Sequence, residues 1–210
     1  MSMLGTPIVR ADVLNLLGVQ FSDDGSVKRH IQTKAATAGK LVGMLRRQSR
    51  YLSEEARFHI YVATIRPVME YGCPVFVNAP DGCLSLLDRI QRRAARLFPG
   101  LCHRLDSLGL RRNVAALSQL YRIVDHTAPN SVIHHLSPRF LKVNRTTRGS
   151  ESCNLRSLEI PKSRTTAHQR SFLPQFSRRW NELNNEAAFA SSLTVFKRCA
   201  VRSLRRTEQG

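Results

Sequence analysis

The stretch Leu87-Asp-Arg-Ile-Gln-Arg-Arg-Ala-Ala-Arg-Leu-Phe98 constrains this chain more than any other. Wound at about 100° per residue, it places Cys83, Leu87, Ile90, Ala94 and Leu97 on one side and Arg89, Arg92, Arg93 and Arg96 on the other. A helix divided in this way buries one face against a core and presents the opposite face either to water or to something anionic. Upstream, Ile65-Arg-Pro-Val-Met-Glu-Tyr-Gly-Cys-Pro-Val-Phe76 carries two prolines and a glycine. Pro67 breaks or kinks a helix, and Gly72 with Pro74 begins a turn-rich link running through Asn78-Ala-Pro-Asp-Gly82. The region from Leu52 to Phe98 must therefore fold as helices separated by tight turns.

The flanking segments supply the rest of a helical fold. Val13 to Phe21 reads as a short apolar strand with a central glycine, and Ser22-Asp-Asp-Gly25 as a turn. From Val27 to Arg50 the pattern is helical, with Ile31, Ala35, Ala38, Val42 and Leu45 on one face. Lys28, Arg29, Lys34, Lys40, Arg46, Arg47 and Arg50 lie on that helix with no acid among them, which favours phosphate over a merely solvated face. Ser53-Glu54-Glu55 is a helix start: a hydroxyl cap followed by carboxylates that meet the dipole. Pro99-Gly100 ends the arginine-faced helix. A further helix runs from Leu105 to Val124 with Arg111, Arg112 and Arg122 as its basic positions.

Beyond it, Thr127 to Thr166 is rich in Pro, Ser, Thr and Arg, without periodicity; Arg139, Lys142, Arg145 and Arg148 are spaced along it like beads. It reads as a flexible basic linker. Phe172, Leu173, Phe176, Trp180 and Leu183 then mark aromatic-rich helical structure, in which Trp180 reads as core rather than a base-stacking platform. Ser191-Ser192 caps a last helix, Leu193 to Leu204, followed by Arg205 and Arg206.

Charge narrows the function. The 33 Lys and Arg residues against 15 Asp and Glu give a net +18, and arginine dominates the basic set. Such an excess points to a polyanion, nucleic acid above all. No apolar run approaches the roughly 18 residues of a membrane span, so no membrane partner is expected. The five cysteines are scattered and never spaced C-x-x-C, which argues for a reducing compartment, nuclear or cytoplasmic. Cys102, His103, His126, His134, His135 and Cys153 lack any recognised zinc spacing, and no metal or cofactor is expected. Met1 to Arg10 resembles neither a signal nor a transit segment.

Phe21-Ser22-Asp23-Asp24 superficially matches the paired aspartates of a polymerase metal site. The stretch after it is no apolar strand, however, and no third carboxylate precedes it. Nucleophile elbows and glycine-rich phosphate loops are also missing, so no small-molecule substrate is expected. The histidines read mostly as ordinary linker residues.

One ordered series of motifs resembles a family. Leu17-Gly18-Val19, His30-Ile31, the basic helix, Ile65-Arg-Pro-Val-Met-Glu-Tyr-Gly72 and Leu87-Asp-Arg-Ile-Gln-Arg-Arg-Ala94 are similar to the C-terminal part of non-LTR, jockey-like retrotransposon reverse transcriptases. Leu105-Asp-Ser-Leu108, Arg111-Arg-Asn-Val-Ala-Ala-Leu117, Tyr121-Arg-Ile123, Arg170-Ser-Phe-Leu-Pro174, Arg179-Trp-Asn-Glu-Leu183, Leu193 and Phe196-Lys197 continue it across nearly the whole chain. The order and spacing carry the resemblance rather than any single motif.

The resemblance implies a mainly α fold: a helical bundle with a short N-terminal β-hairpin or strand, then a loop-rich linker and C-terminal helices. Residues 1–26 would be the end of a palm, 27–126 a thumb-like helical domain, 127–166 the basic flexible linker and 167–210 a C-terminal helical segment. A thumb of this kind lies along the template–primer duplex, which suits basic stripes that grip a backbone irrespective of sequence. The fingers and the palm's aspartate box are not in this sequence. The expectation is a non-catalytic fragment of an RNA-directed DNA polymerase that contacts an RNA–DNA hybrid or other duplex through Lys40, Arg46, Arg47, Arg89, Arg92, Arg93, Arg96, Arg111 and Arg112. The alternatives are a piece active only with a separately encoded palm and fingers polypeptide, or a degenerate reading frame with no selected function.

Overall fold

The computed structural model describes residues 11–125, 127–129, 131–132, 136, 138, 140 and 156–206, together with the backbone alone at 2–3, 6–7 and 207–209. The chain is mainly helical behind an N-terminal antiparallel hairpin. It divides into two compact units, Met1–Leu108 and Gly109–Gly210.

In the first unit, strands β1 (Ser2–Met3) and β2 (Thr6–Pro7) pair antiparallel. Strands β3 (Val13–Leu16) and β4 (Val19–Ser22) form the main hairpin, with Leu16 opposite Val19 and Val13 opposite Ser22. The glycine expected within a strand is instead the second residue of a two-residue turn. Leu17 has φ 48° and Gly18 φ 75°, and a tight hairpin needs positive φ at both positions to match the strand twist. Leucine is an unusual occupant there, because its Cβ crowds the carbonyl. Tyr71 steadies the turn by donating its hydroxyl to the Leu17 carbonyl at 2.7 Å.

Helix α1 (Lys28–Gln48) follows. All five residues expected on its inner face are buried, along with His30. Helix α2 (Glu54–Ile60) starts where the hydroxyl cap predicts, with Ser53 Oγ accepting from the Ala56 N–H at 3.2 Å. Before Pro67 the helix widens into a π turn, Tyr61–Ile65, and then resumes as α3 (Arg66–Glu70). Proline has no N–H, and its ring crowds the carbonyl of the preceding turn. A π turn is one way to pass such a residue without ending the helix.

Gly72, at φ 71°, turns the chain into α4 (Cys73–Phe76), and α5 (Asp81–Ala95) carries the arginines. A 3-10 segment, Pro99–Arg104, closes the unit. Helix α1 packs against α5, α3 and β4. Phe98 sits edge-on to Phe58 at 5.6 Å and against Tyr61 at 5.5 Å. Tyr61 donates its hydroxyl to Gln91 Oε1 (3.0 Å), whose amide in turn donates to the Asp106 carbonyl (2.9 Å), so the buried polar groups here are satisfied.

Helix α6 (Leu108–Val124), which leads into the second unit, starts three residues later than the pattern of the sequence suggests, because Leu105, which caps the 3-10 segment, is extended at ψ 123°. It continues with α7 (Thr166–Gln169), α8 (Phe172–Asn181), α9 (Asn185–Ala188) and α10 (Leu193–Gln209). Trp180 is at its centre, fully buried, with Phe196 stacked at 5.7 Å. Tyr121 stacks on Phe196 from α6 at 4.6 Å and donates to the Ala190 carbonyl at 2.8 Å.

Trp180 Nε1 donates to the Arg156 carbonyl at 3.0 Å. The Asn181 amide binds the Leu158 backbone twice, accepting from its N–H (2.7 Å) and donating to its carbonyl (2.9 Å). These bonds fasten the end of the span expected as a linker. Arg139, Lys142, Arg145 and Arg148, the basic beads of that span, lie outside the described residues, as do His126, His134, His135 and Cys153. Among the described residues no helix is long and apolar enough to cross a membrane.

Candidate nucleic-acid interface

In the first unit the basic residues singled out from sequence fall on two neighbouring helices. On α1, Lys40, Arg46 and Arg47 are exposed. On α5, Arg89, Arg92, Arg93 and Arg96 are exposed, while Leu84, Leu87 and Ala94 are buried on the other face. Cys83, Ile90 and Leu97 are half-buried. The helices approach closely at Gly39, where a Cβ would stand 3.4 Å from Ile90 Cδ1. The arginine face and the α1 charges are thus carried by one packed pair.

Three glutamates of this unit engage groups outside α1 and α5. Glu55 lies 3.6 Å from Arg104 and 3.9 Å from His59, Arg66 lies 4.0 Å from Glu70, and the Glu54 carboxylate accepts from the Gly100 N–H. Among the described residues none of Lys40, Arg46, Arg47, Arg89, Arg92, Arg93 and Arg96 enters an ion pair. Their fields therefore add, producing a local positive potential that water and salt screen only over about 8–10 Å. Two further cations lie over aromatic rings: Lys34 of α1 over Tyr71 at 4.6 Å, and Arg50, just past the end of α1, over Tyr51 at 4.7 Å.

Arg111 and Arg112 lie on a different helix. Both belong to α6 in the second unit, where Arg111 is half-buried and Arg112 only 5% exposed. A guanidinium so enclosed is part of the packing and does not reach a phosphate. The repeated basic pattern of Arg111-Arg112 hid the fact that consecutive residues on a helix point about 100° apart.

The structure also reveals a polar lock that composition did not suggest. His30, read with the other histidines as an ordinary residue, is 1% exposed on α1. Its Nδ1 accepts from the Gln20 N–H (3.4 Å) and its Nε2 donates to the Tyr71 carbonyl (3.3 Å), which fixes the neutral tautomer and ties β4 to the end of α3. Burial holds the imidazole pKa below its ordinary value, Lys34 adds to the depression, and the Tyr71 carbonyl partly opposes it. A buried position on an otherwise apolar helical face was the available signal.

Asp24, half of the aspartate pair, is a turn residue. Its carboxylate accepts from the Ser26 N–H at 2.8 Å, which lowers its pKa. Among the described residues no group of three or more His, Cys, Asp or Glu side chains could hold a metal ion.

No family model, curated protein or solved structure matches this chain.

Proposed function

We propose that the chain is a non-catalytic, nucleic-acid-binding fragment of a non-LTR retrotransposon reverse transcriptase, whose α1–α5 pair grips the backbone of a template–primer duplex. The observation that carries this reading is the exposed set Lys40, Arg46, Arg47, Arg89, Arg92, Arg93 and Arg96 on two packed helices, outside every ion pair of the described residues. Backbone contacts of this kind hold a duplex through counterion release and carry no sequence information. Arg112 drops out of the contact set because it is buried.

One feature favours the alternative in which the piece works with a separately encoded palm. Leu14, Leu16 and Leu17 on the hairpin are 60%, 55% and 87% exposed, an apolar surface of the kind a partner covers.

The test is a salt titration of binding to an RNA–DNA hybrid duplex, comparing the wild type with the Arg89/Arg92/Arg93/Arg96→Ala variant. If each arginine contacts a phosphate, the variant's log–log salt slope falls by about 3–4, from about 0.9 per contact. An unchanged slope and affinity would overturn the assignment to α5.

A further inference from the structure

The second unit carries its own basic surface, unrelated to the α1–α5 pair. On α10, Phe196, Cys199 and Ala200 are buried, whereas Lys197, Arg198, Arg202, Arg205 and Arg206 are exposed and Val201 is half-buried between them. Together the last six line a shallow depression along the helix. At about 100° per residue they spread over an arc of about 180°, centred opposite the buried stripe, and cover about 13 Å of helix axis. Three successive turns thus each present a cation or a pair of cations.

Folding alone does not explain this pattern. Arg198–Arg202 and Arg202–Arg206 are like-charge pairs four residues apart, and such pairs weaken a helix. The helix dipole accounts for Arg206 in the last turn but not for Lys197 and Arg198 near the start. Among the described residues Glu186 is near, with its carboxylate 3.5 Å from Arg202 Nη1 and accepting from the Cys199 thiol. An adjoining cleft, lined by Arg170, Arg178 and Arg179 with Glu182, extends the positive surface beside Leu204.

We propose that α10 docks lengthwise in the major groove of double-stranded DNA, as a second nucleic-acid contact independent of the α1–α5 pair. The width of the cationic arc decides the partner. A helix lying along a single strand needs charge on one narrow side, while a helix in a groove meets a phosphate wall on either flank. A helix with its side chains is about 10–12 Å across, matching the B-form major groove of about 12 Å. The A-form major groove is too deep and narrow to admit it. The apolar face of α10 is committed to the core around Trp180, so insertion into a lipid surface is not open to it. The cations stand on both flanks of the helix, so the contact expected is with the phosphate walls of the groove.

The test uses the full chain and fluorescence anisotropy on four probes: a mixed-sequence DNA duplex, an RNA duplex, an RNA–DNA hybrid and single-stranded DNA, with phosphatidylserine vesicles as a fifth. The variants are Lys197/Arg198/Arg202/Arg205/Arg206→Gln and, separately, Arg89/Arg92/Arg93/Arg96→Ala. Trp180 emission, sensitive to the α10 contact at Phe196, certifies that the Gln variant is folded. For the α10 variant the expected result is a loss of at least about tenfold in DNA-duplex affinity at physiological salt and a slope lower by about 4, with hybrid binding kept. DNA-duplex binding unaltered in the α10 variant overturns the proposal, as does an equal loss on all nucleic-acid probes or a loss confined to single strands or vesicles. Failure of hybrid binding in the α5 variant alone bears on the α1–α5 reading and leaves this one intact.

Discussion

Gly72→Ala is the most informative single change, because two separate costs meet at one atom. The residue has φ 71°, and a Cβ there would stand 2.9 Å from Val19 Cγ2. Left-handed backbone costs a residue with a Cβ about 1–2 kcal/mol. Forcing a methyl against the buried Val19 side chain adds about 1–3 kcal/mol of overpacking. The expected loss is therefore about 2–5 kcal/mol in the stability of the first unit. Hydrogen exchange under a urea series, resolved to peptides covering β4 and α3–α4, measures it directly. Val19→Ala on its own should cost about 1–2 kcal/mol, from two methyl groups at about 0.8 kcal/mol each. In the double variant the overpacking disappears, so the combined loss should fall short of additivity by about 1–3 kcal/mol. A Gly72→Ala loss below about 0.5 kcal/mol, or strict additivity in the cycle, would refute the close approach of the hairpin to Gly72.

Two further outcomes follow from the polar contacts. Asn181→Ala leaves the N–H and carbonyl of the buried Leu158 without their side-chain partner and should cost about 1–3 kcal/mol; urea unfolding followed by Trp180 fluorescence reads it, and an unchanged midpoint contradicts the double bond. His30 gives the first unit a pH dependence. Its folded pKa lies below the ordinary value of about 6.5, so the unfolded chain binds more protons between the two; stability is full above about 6.5 and falls as pH drops towards the folded pKa. Exchange protection of β4 should thus be weaker at pH 5 than at pH 7.5, and the difference should shrink in His30→Gln.

Periodicity made the helices legible. The inner face of α1 was identified in full from Ile31, Ala35, Ala38, Val42 and Leu45, since a 21-residue helix with one apolar stripe has a single way to pack. Ser53 revealed its cap because hydroxyl and carboxylates stand in the required order. Features that depend on distant partners were not legible. Leu17 is a poor turn residue by local rules, and its position depends on Tyr71, 54 residues away. His30 looks like any polar residue until β4 and Tyr71 close over it. The exposed arginines of α5 and the enclosed Arg112 are alike in composition, and only the packing of the second unit separates them.

The hairpin clamp also has a temporal consequence. The Tyr71 hydroxyl, the Tyr71 carbonyl acting through His30, and the bare Cα of Gly72 all belong to chain made long after β3 and β4. At about 5–20 residues per second, synthesis of the intervening 54 residues takes about 3–11 s. For that interval the ribosome exposes a two-stranded ribbon, marginal on its own, with its leucines uncovered. The nascent hairpin is therefore a segment that a chaperone, or a neighbouring nascent chain, can engage during synthesis.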